Sequence, residues 1–241
     1  MLLKKIYCRV FQACFGLGAR VLPWRRPECI TGAGSLQRLP ELLADAGCKK
    51  PMIVASRRQC AAPEFTAMTE KLPAWCGFHG VTANPKIETV EQIVAQFRTE
   101  GCDSMVAIGG GSPMDAAKAA AARLARPNRS VGQLKGLLKV RRKIVPFAAV
   151  PTTAGTGSET TIAAVVTDEN HHKYAVNDLC LIPRWAILDP TLTVSLPAGV
   201  TAETGLDALT HAVEAYIGRF YNTRETRSLA RQAVAAIFQY L

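Results

Sequence analysis

The sequence predicts an α/β protein: a parallel sheet covered by helices on both faces, followed by the start of an all-helical region. Three observations carry this. From residue 27 onward, short apolar runs alternate with amphipathic helical segments. One of them, "MVAIGGGSPMDAAKAA" (105–120), runs a strand into three glycines and then a helix. Beyond Pro197 only helical patterns remain.

The elements follow in order. In the first twenty-odd residues Leu3, Ile6, Val10, Cys14, Leu17 and Val21 recur at helical spacing, and Arg9 and Arg20 interrupt the apolar run. This predicts an amphipathic helix with a packing role, ended by Pro23. "SLQRLPELLADAG" (35–47) reads as a helix closed by Gly47. "KPMIVAS" (50–56) is a buried strand, "PEFTAMTEKLPAW" (63–75) a helix at least in its first half, and "CGFHGVTAN" (76–84) a strand and turn. Val90, Ile93, Val94 and Phe97 share one face of a helix over 89–101. A strand at 104–111, a helix at 112–125 and a strand at 143–153 come next. Residues 161–178 predict an antiparallel hairpin, and "AILDP" (186–190) one more strand. The expected organisation is an N-terminal helix (1–26), an α/β domain (27–196) and the first helices of an all-α domain (197–241).

Composition excludes several classes. Hydrophobic residues make up 49% of the 241-residue chain and charged residues 20%, which is globular rather than disordered. The net charge of +10 is dispersed, with one dense patch at "LKVRRK" (138–143). No nucleic-acid-binding motif accompanies it, so the basic surface is read as solvated and no nucleic-acid partner is expected. The eight cysteines show no C-x-x-C and no paired spacing, which predicts reduced, mostly buried thiols and a cytoplasmic protein. No uninterrupted apolar segment reaches membrane-spanning length, so no stable membrane insertion is expected.

Two loops carry candidate chemistry. After the strand 105–108, Ser112 stands at the expected N-cap, Pro113 at the first helical position and Asp115 where a capping box would close. Free backbone N–H groups at this helix N-terminus suit an anion, with a pyrophosphate the natural guest. A well-capped structural turn is the alternative. The second loop, "PTTAGTGSETT" (151–161), follows another strand and places threonines and glycines where open α/β sheets bind ligands. Separately, Asp207 and His211 in "TGLDALTHAVEAY" (204–216) lie four positions apart on one helix face. They are two metal ligands or a carboxylate–imidazole bond with no metal.

With "GGGSPMDAAKA" (109–119), "PTTAGTGSETT", "AILDP" and "TAETGLDALTHAVEAY" (201–216) together, the chain resembles the iron-containing alcohol dehydrogenase family. The resemblance implies a Rossmann-like nucleotide-binding domain and a helical domain, with cofactor and metal between them. It also implies hydride transfer between a primary alcohol or aldehyde and NAD(P), with Fe²⁺ or Zn²⁺ as Lewis acid. By position it assigns Gly110, Gly111 and Ser112 to the pyrophosphate and Thr152, Thr153 and Thr156 to the adenosine side. Asn84, Asp115 and Lys173 fall near the cofactor, Lys173 by the nicotinamide ribose. Asp207 and His211 match two of four metal ligands. A homo-oligomer is implied as well.

Two departures stand out. Many NAD-using members end the first strand in an aspartate; this chain has Ser56 there, followed by Arg57 and Arg58. A hydroxyl and two guanidiniums accept a 2′-phosphate that a carboxylate would repel, so NADP preference is expected. The family's two other ligands are downstream histidines, and the remaining histidines here, His79, His171 and His172, match neither. The 241-residue chain is therefore expected to be a fragment with little turnover. A non-catalytic nucleotide-binding module and a glycerol dehydrogenase-like or dehydroquinate synthase-like metalloenzyme are the other readings.

Overall fold

A computed structural model gives the fold of residues 2–218 and 222–241, without the side chains of residues 2, 3, 15, 19 and 20. The chain divides into two compact units, residues 25–196 and residues 1–24 with 197–241.

The larger unit is built on a six-stranded parallel sheet. Its strands are β1 (Glu28–Thr31), β2 (Pro51–Ala55), β3 (Cys76–Phe78), β4 (Ser104–Gly109), β6 (Phe147–Pro151) and β9 (Trp185–Leu188), in the order β1-β9-β6-β4-β2-β3. β5 (Gly136–Leu137), β7 (Ala163–Thr167) and β8 (Lys173–Asn177) form a separate three-stranded sheet. Within it β7 and β8 are the expected antiparallel hairpin. Strand periodicity divides the core in two. Met52, Val54, Met105, Ala107, Phe147 and Ala149 face one cluster. Ile53, Ala55, Val106, Ile108, Ala148 and Val150 face the other.

Helices cover both faces. α5 (Ile87–Thr99) and α6 (Gly111–Ala125) pack on the first cluster; α2 (Leu39–Asp45) and α4 (Pro63–Thr69) pack on the second. A four-residue helix, α3 (Arg57–Cys60), follows β2. Ala116, Ala117 and Ala119–Ala122 of α6 are fully buried, and side chains this small let α6 lie close to the sheet. The predicted helix over 35–47 is instead a 3₁₀ turn (Ser35–Arg38) leading into α2, with Pro40 in its first turn, where no N–H partner is lost. β1 was not expected, because only Ile30 of its four residues is buried. Asp189, at the end of β9, closes this edge: its carboxylate accepts from the N–H of Gly34 and Leu36 and from the N–H and hydroxyl of Thr191.

The smaller unit holds α1 (Leu2–Val21), α7 (Ala198–Ile217) and α8 (Arg224–Tyr240). α7 and α8 pack as a helical hairpin, and Gly205 gives the space: a Cβ there would stand 2.5 Å from the Leu241 side chain. The expected N-terminal helix forms, but the side chains of Ile6, Val10, Leu17 and Val21 are exposed rather than packed. The Leu3 and Arg20 side chains lie outside the described residues. All eight cysteines are free, and only Cys76 and Cys102 are buried, which corrects the expectation that most would be. No described helix is long and apolar enough to cross a membrane.

Candidate functional site

β3 and β4 leave β2 on opposite sides, so the sheet reverses its winding between β2 and β4. In an open parallel sheet such a reversal leaves a crevice at the strands' C-terminal ends. The loops that meet there are Ser56–Cys60 after β2, the glycine turn after β4 and the threonine loop after β6.

The glycine turn differs in detail from its sequence prediction. α6 begins at Gly111 with Gly110 as N-cap, and no side chain caps it. Ser112 is therefore inside the first turn, and Ser112 and Asp115 do not form a capping box. The first N–H groups of α6, including those of Gly111 and Ser112, point beyond the helix without an intrahelical acceptor. Gly109 has φ +151°, and a Cβ on it would meet Pro113 at 2.7 Å and Gln59 Nε2 at 3.2 Å. A side chain at Gly110 would meet Thr153 Oγ1 at 3.2 Å, and one at Gly111 would meet Thr156 at 3.1 Å. Gly109 is thus closed to any side chain by Pro113, while at Gly110 and Gly111 a side chain would press on the threonine loop that lies over the turn.

A hydrogen-bonded chain ties the three loops together. Ser56 caps α3 in a capping box with Gln59: the Gln59 N–H donates to Ser56 Oγ at 3.3 Å, and the Ser56 N–H donates to Gln59 Oε1 at 2.8 Å. Gln59 Nε2 then donates to Thr152 Oγ1 at 2.8 Å. The Thr152 N–H in turn donates to the Gly109 carbonyl at 2.9 Å. Gln59 had no assigned role from sequence, although the S-x-x-Q spacing of Ser56 and Gln59 was the signal for it. Arg57 and Arg58 stay exposed beside this chain.

Below the loops lie two charged side chains of α6, the half-buried Asp115 and the buried Lys118. Asp115 accepts from Ser158 Oγ at 3.1 Å. Lys118 is fully buried and donates to the carbonyls of Ser158, Thr161 and Ala163. Burial pushes the Asp115 carboxyl up to about 6, against the pull of Lys118 and Ser158. The same burial draws Lys118 down to about 8, against Asp115 and Glu159.

Asn84 and Lys173 are linked through their neighbours Pro85 and Thr167. Asn84 is exposed with φ 56°, a left-handed conformation that asparagine tolerates. The Thr167 N–H donates to the carbonyl of Pro85, and Thr167 pairs with Lys173 across the hairpin. A cavity of about 130 Å³ opens beside them, lined by Lys86, Thr167 and His171 among others.

Asp207 and His211 lie in the smaller unit on α7. His211 Nε2 is 3.8 Å from Asp207 Oδ1, and the two side chains are 54% and 44% exposed. A carboxylate oxygen and an imidazole nitrogen suit Fe²⁺ or Zn²⁺. They are two donors where a closed tetrahedral site takes four. Among the described residues no group of three or more His, Cys, Asp and Glu is placed to hold a metal. These two residues alone do not make a metal centre.

A sequence profile of the iron-containing alcohol dehydrogenase family matches residues 27–190, more than half of the chain. The chain belongs to this family. Among its relatives is the NAD-dependent methanol dehydrogenase of Bacillus methanolicus, 37% identical over 224 residues, which cover 89% of this chain and 57% of that protein. Another is the lactaldehyde reductase of Escherichia coli K12, 37% identical over 194 residues, 78% of this chain and 51% of that one. A crystal structure of a 1,3-propanediol oxidoreductase superposes with a TM-score of 0.85 at 33% identity, covering 91% of this chain and 58% of the other. Sulfoacetaldehyde reductase from Bifidobacterium kashiwanohense, solved with NAD⁺, gives a TM-score of 0.82 at 28% identity, covering 91% and 59%. The chain therefore spans little more than half the length of these relatives.

Proposed function

We propose that this chain binds a nicotinamide dinucleotide at the crevice between β2 and β4 and serves hydride transfer between a primary alcohol and its aldehyde. The pyrophosphate rests on the N–H groups of Gly110, Gly111 and Ser112. Thr153 and Thr156 overhang it from the threonine loop, Thr152 is held beside them by Gln59, and Asn84 and Lys173 approach the nicotinamide half. The observation that carries this reading is the uncapped N-terminus of α6, covered by a threonine loop and placed where the sheet changes winding. The named alcohol and aldehyde enzymes among the relatives support the substrate class. Bound cofactor supplies the hydride acceptor. This chain's residues hold its phosphates and exclude side chains from their path.

The finer proposal is preference for NADP. Ser56 places no carboxylate at the end of β2, its hydroxyl is committed to Gln59, and Arg57 and Arg58, one and two residues on, are exposed. A 2′-phosphate leaving the ribose at this point meets two guanidiniums and no acid. Titration of intrinsic fluorescence with NAD⁺ and NADP⁺ tests both parts. Saturable binding with NADP⁺ tighter is the expected result. Tighter NAD⁺ binding sinks the preference, and no binding of either at millimolar concentration sinks the site. Oxidation of short primary alcohols, followed by nicotinamide absorbance with Fe²⁺ or Zn²⁺ added, tests turnover separately. Binding without turnover would favour a nucleotide-binding module.

A further inference from the structure

Lys118 is the one fully buried lysine described, and nothing in the cofactor reading uses it. It sits on α6 two turns after the glycines. Its ammonium donates to Ser158 O at 2.5 Å, Thr161 O at 2.8 Å, Thr161 Oγ1 at 3.0 Å and Ala163 O at 3.2 Å. An ammonium has three N–H groups, so four oxygens saturate it and leave none for a ligand. One turn earlier on the same helix, Asp115 takes the Ser158 hydroxyl. Two charged side chains of α6 thus grip the far end of the threonine loop. The near end is held at Thr152 by Gly109 and Gln59. Between these anchors lie Thr153 and Thr156, the residues that overhang Gly110 and Gly111.

A leucine or methionine would fill this volume without taking a charge out of water. The charge fixes instead a chain segment, 153 to 161, that pairs with no strand, because the Ser158 and Thr161 carbonyls it binds must stay where the ammonium is. We propose that Lys118 is a positioning residue for the dinucleotide site: through the carbonyls of Ser158, Thr161 and Ala163 it holds Thr153 and Thr156 over the glycine turn. The proposal rests on the cofactor reading above. It assigns Lys118 no contact with the cofactor, which separates it from a phosphate-binding lysine. Without the grip, the loop must be ordered at each binding event, which weakens affinity.

The test is Lys118→Met in the full chain, with Ser158→Ala and Thr161→Val as milder variants should the first fail to fold. The readouts are dissociation constants for NAD⁺ and NADP⁺, their salt dependence, and amide hydrogen exchange. Lys118→Met should weaken both dinucleotides by roughly tenfold or more, equally for the two. It should raise exchange in 153–161 while β4 and β6 keep their protection. The slope of affinity against salt should stay that of the unsubstituted protein, because no phosphate contact is lost. Thr161→Val, which removes one acceptor of Lys118, should move affinity and loop exchange the same way by less; Ser158→Ala, which keeps the carbonyl and loses only the Asp115 contact, loosens the same end of the loop and should do likewise. Unchanged affinity with unchanged loop exchange in Lys118→Met overturns the proposal, as does a reduced salt slope, which would make Lys118 a direct ligand. If Lys118→Met does not fold, unchanged affinity and loop exchange in both milder variants overturns it. If the unsubstituted chain binds neither dinucleotide, the cofactor reading itself fails, and this inference with it.

Discussion

The glycine turn and the Asp207–His211 pair both read as site residues in the sequence, and they differ in how they are built. The turn is a backbone site inside one unit. Its glycines, its threonine overhang and its supports at Gln59, Asp115 and Lys118 all come from residues 59–161. The pair is a side-chain site of two donors on one helix, about half exposed and 3.8 Å apart. A backbone site is complete once its own loops fold. A side-chain metal site is complete only when enough donors converge. The first should therefore respond sharply to changes in this chain, and the second weakly.

The largest effect is expected at Gly109. Its φ of +151° and the 2.7 Å approach of Pro113 leave no room for a side chain. Gly109→Val should cost about 2–4 kcal/mol by strain and overpacking together. It should also weaken dinucleotide binding by roughly 100-fold, because the turn must open to accept the new atoms. Urea denaturation and fluorescence titration read the two. Retained affinity would break the idea that the turn is the site.

Next in size is the pair of arginines after β2. Replacing Arg57 and Arg58 by alanine should weaken NADP⁺ by roughly tenfold to 100-fold, the value of one or two charge-assisted hydrogen bonds. NAD⁺ affinity should hold within about threefold, since it lacks the 2′-phosphate. Equal losses for both cofactors would place the arginines on the pyrophosphate instead.

What the sequence made legible follows the same division. The parallel sheet was visible because apolar runs such as "PMIVA" and "MVAI" are buried on both faces. The loops were visible because glycine and threonine clusters stand at strand ends. β1 was not, because an edge strand with one buried residue has no apolar run. The capping box sits at Ser56 and Gln59 rather than at Ser112 and Asp115, because α6 starts early enough to put Ser112 inside its first turn and Asp115 turns inward to Ser158. Lys118 was hidden for a related reason. In "DAAKAAAARLA" a lysine looks like a solvent-facing residue of an alanine-rich helix, and only the tertiary fold brings four oxygens to it.

A smaller effect is a pH dependence within the supports of the turn. Asp115 has a folded-state pKa of about 6 against a reference of 3.8. Between these values the folded state binds more protons than the unfolded state, so its contribution to stability is full below pH 3.8 and is lost as pH rises through about 6. Asp115→Asn keeps an oxygen for Ser158 and cannot titrate. The stability of the unsubstituted protein minus that of Asp115→Asn should fall from about pH 4 to about pH 6 and level off above. A difference that rises over this range would mean that Lys118 outweighs burial at this carboxyl.

The smallest effect belongs to α7, and its smallness is the point. An i,i+4 carboxylate–imidazole pair this exposed contributes about 0.5 kcal/mol or less, and only when the imidazole is protonated. Asp207→Ala with His211→Ala should leave dinucleotide affinity within about twofold and stability within about 0.5 kcal/mol. Metal is the sharper probe. Two donors leave at least half of a tetrahedral shell to water, so Zn²⁺ should bind this chain weakly and raise its melting temperature little at micromolar metal. Calorimetric titration with Zn²⁺ before and after the double substitution measures this. Nanomolar binding that the substitution abolishes would show that further donors of the chain converge on Asp207 and His211. The contrast between a finished backbone site and a two-donor side-chain site would then fail.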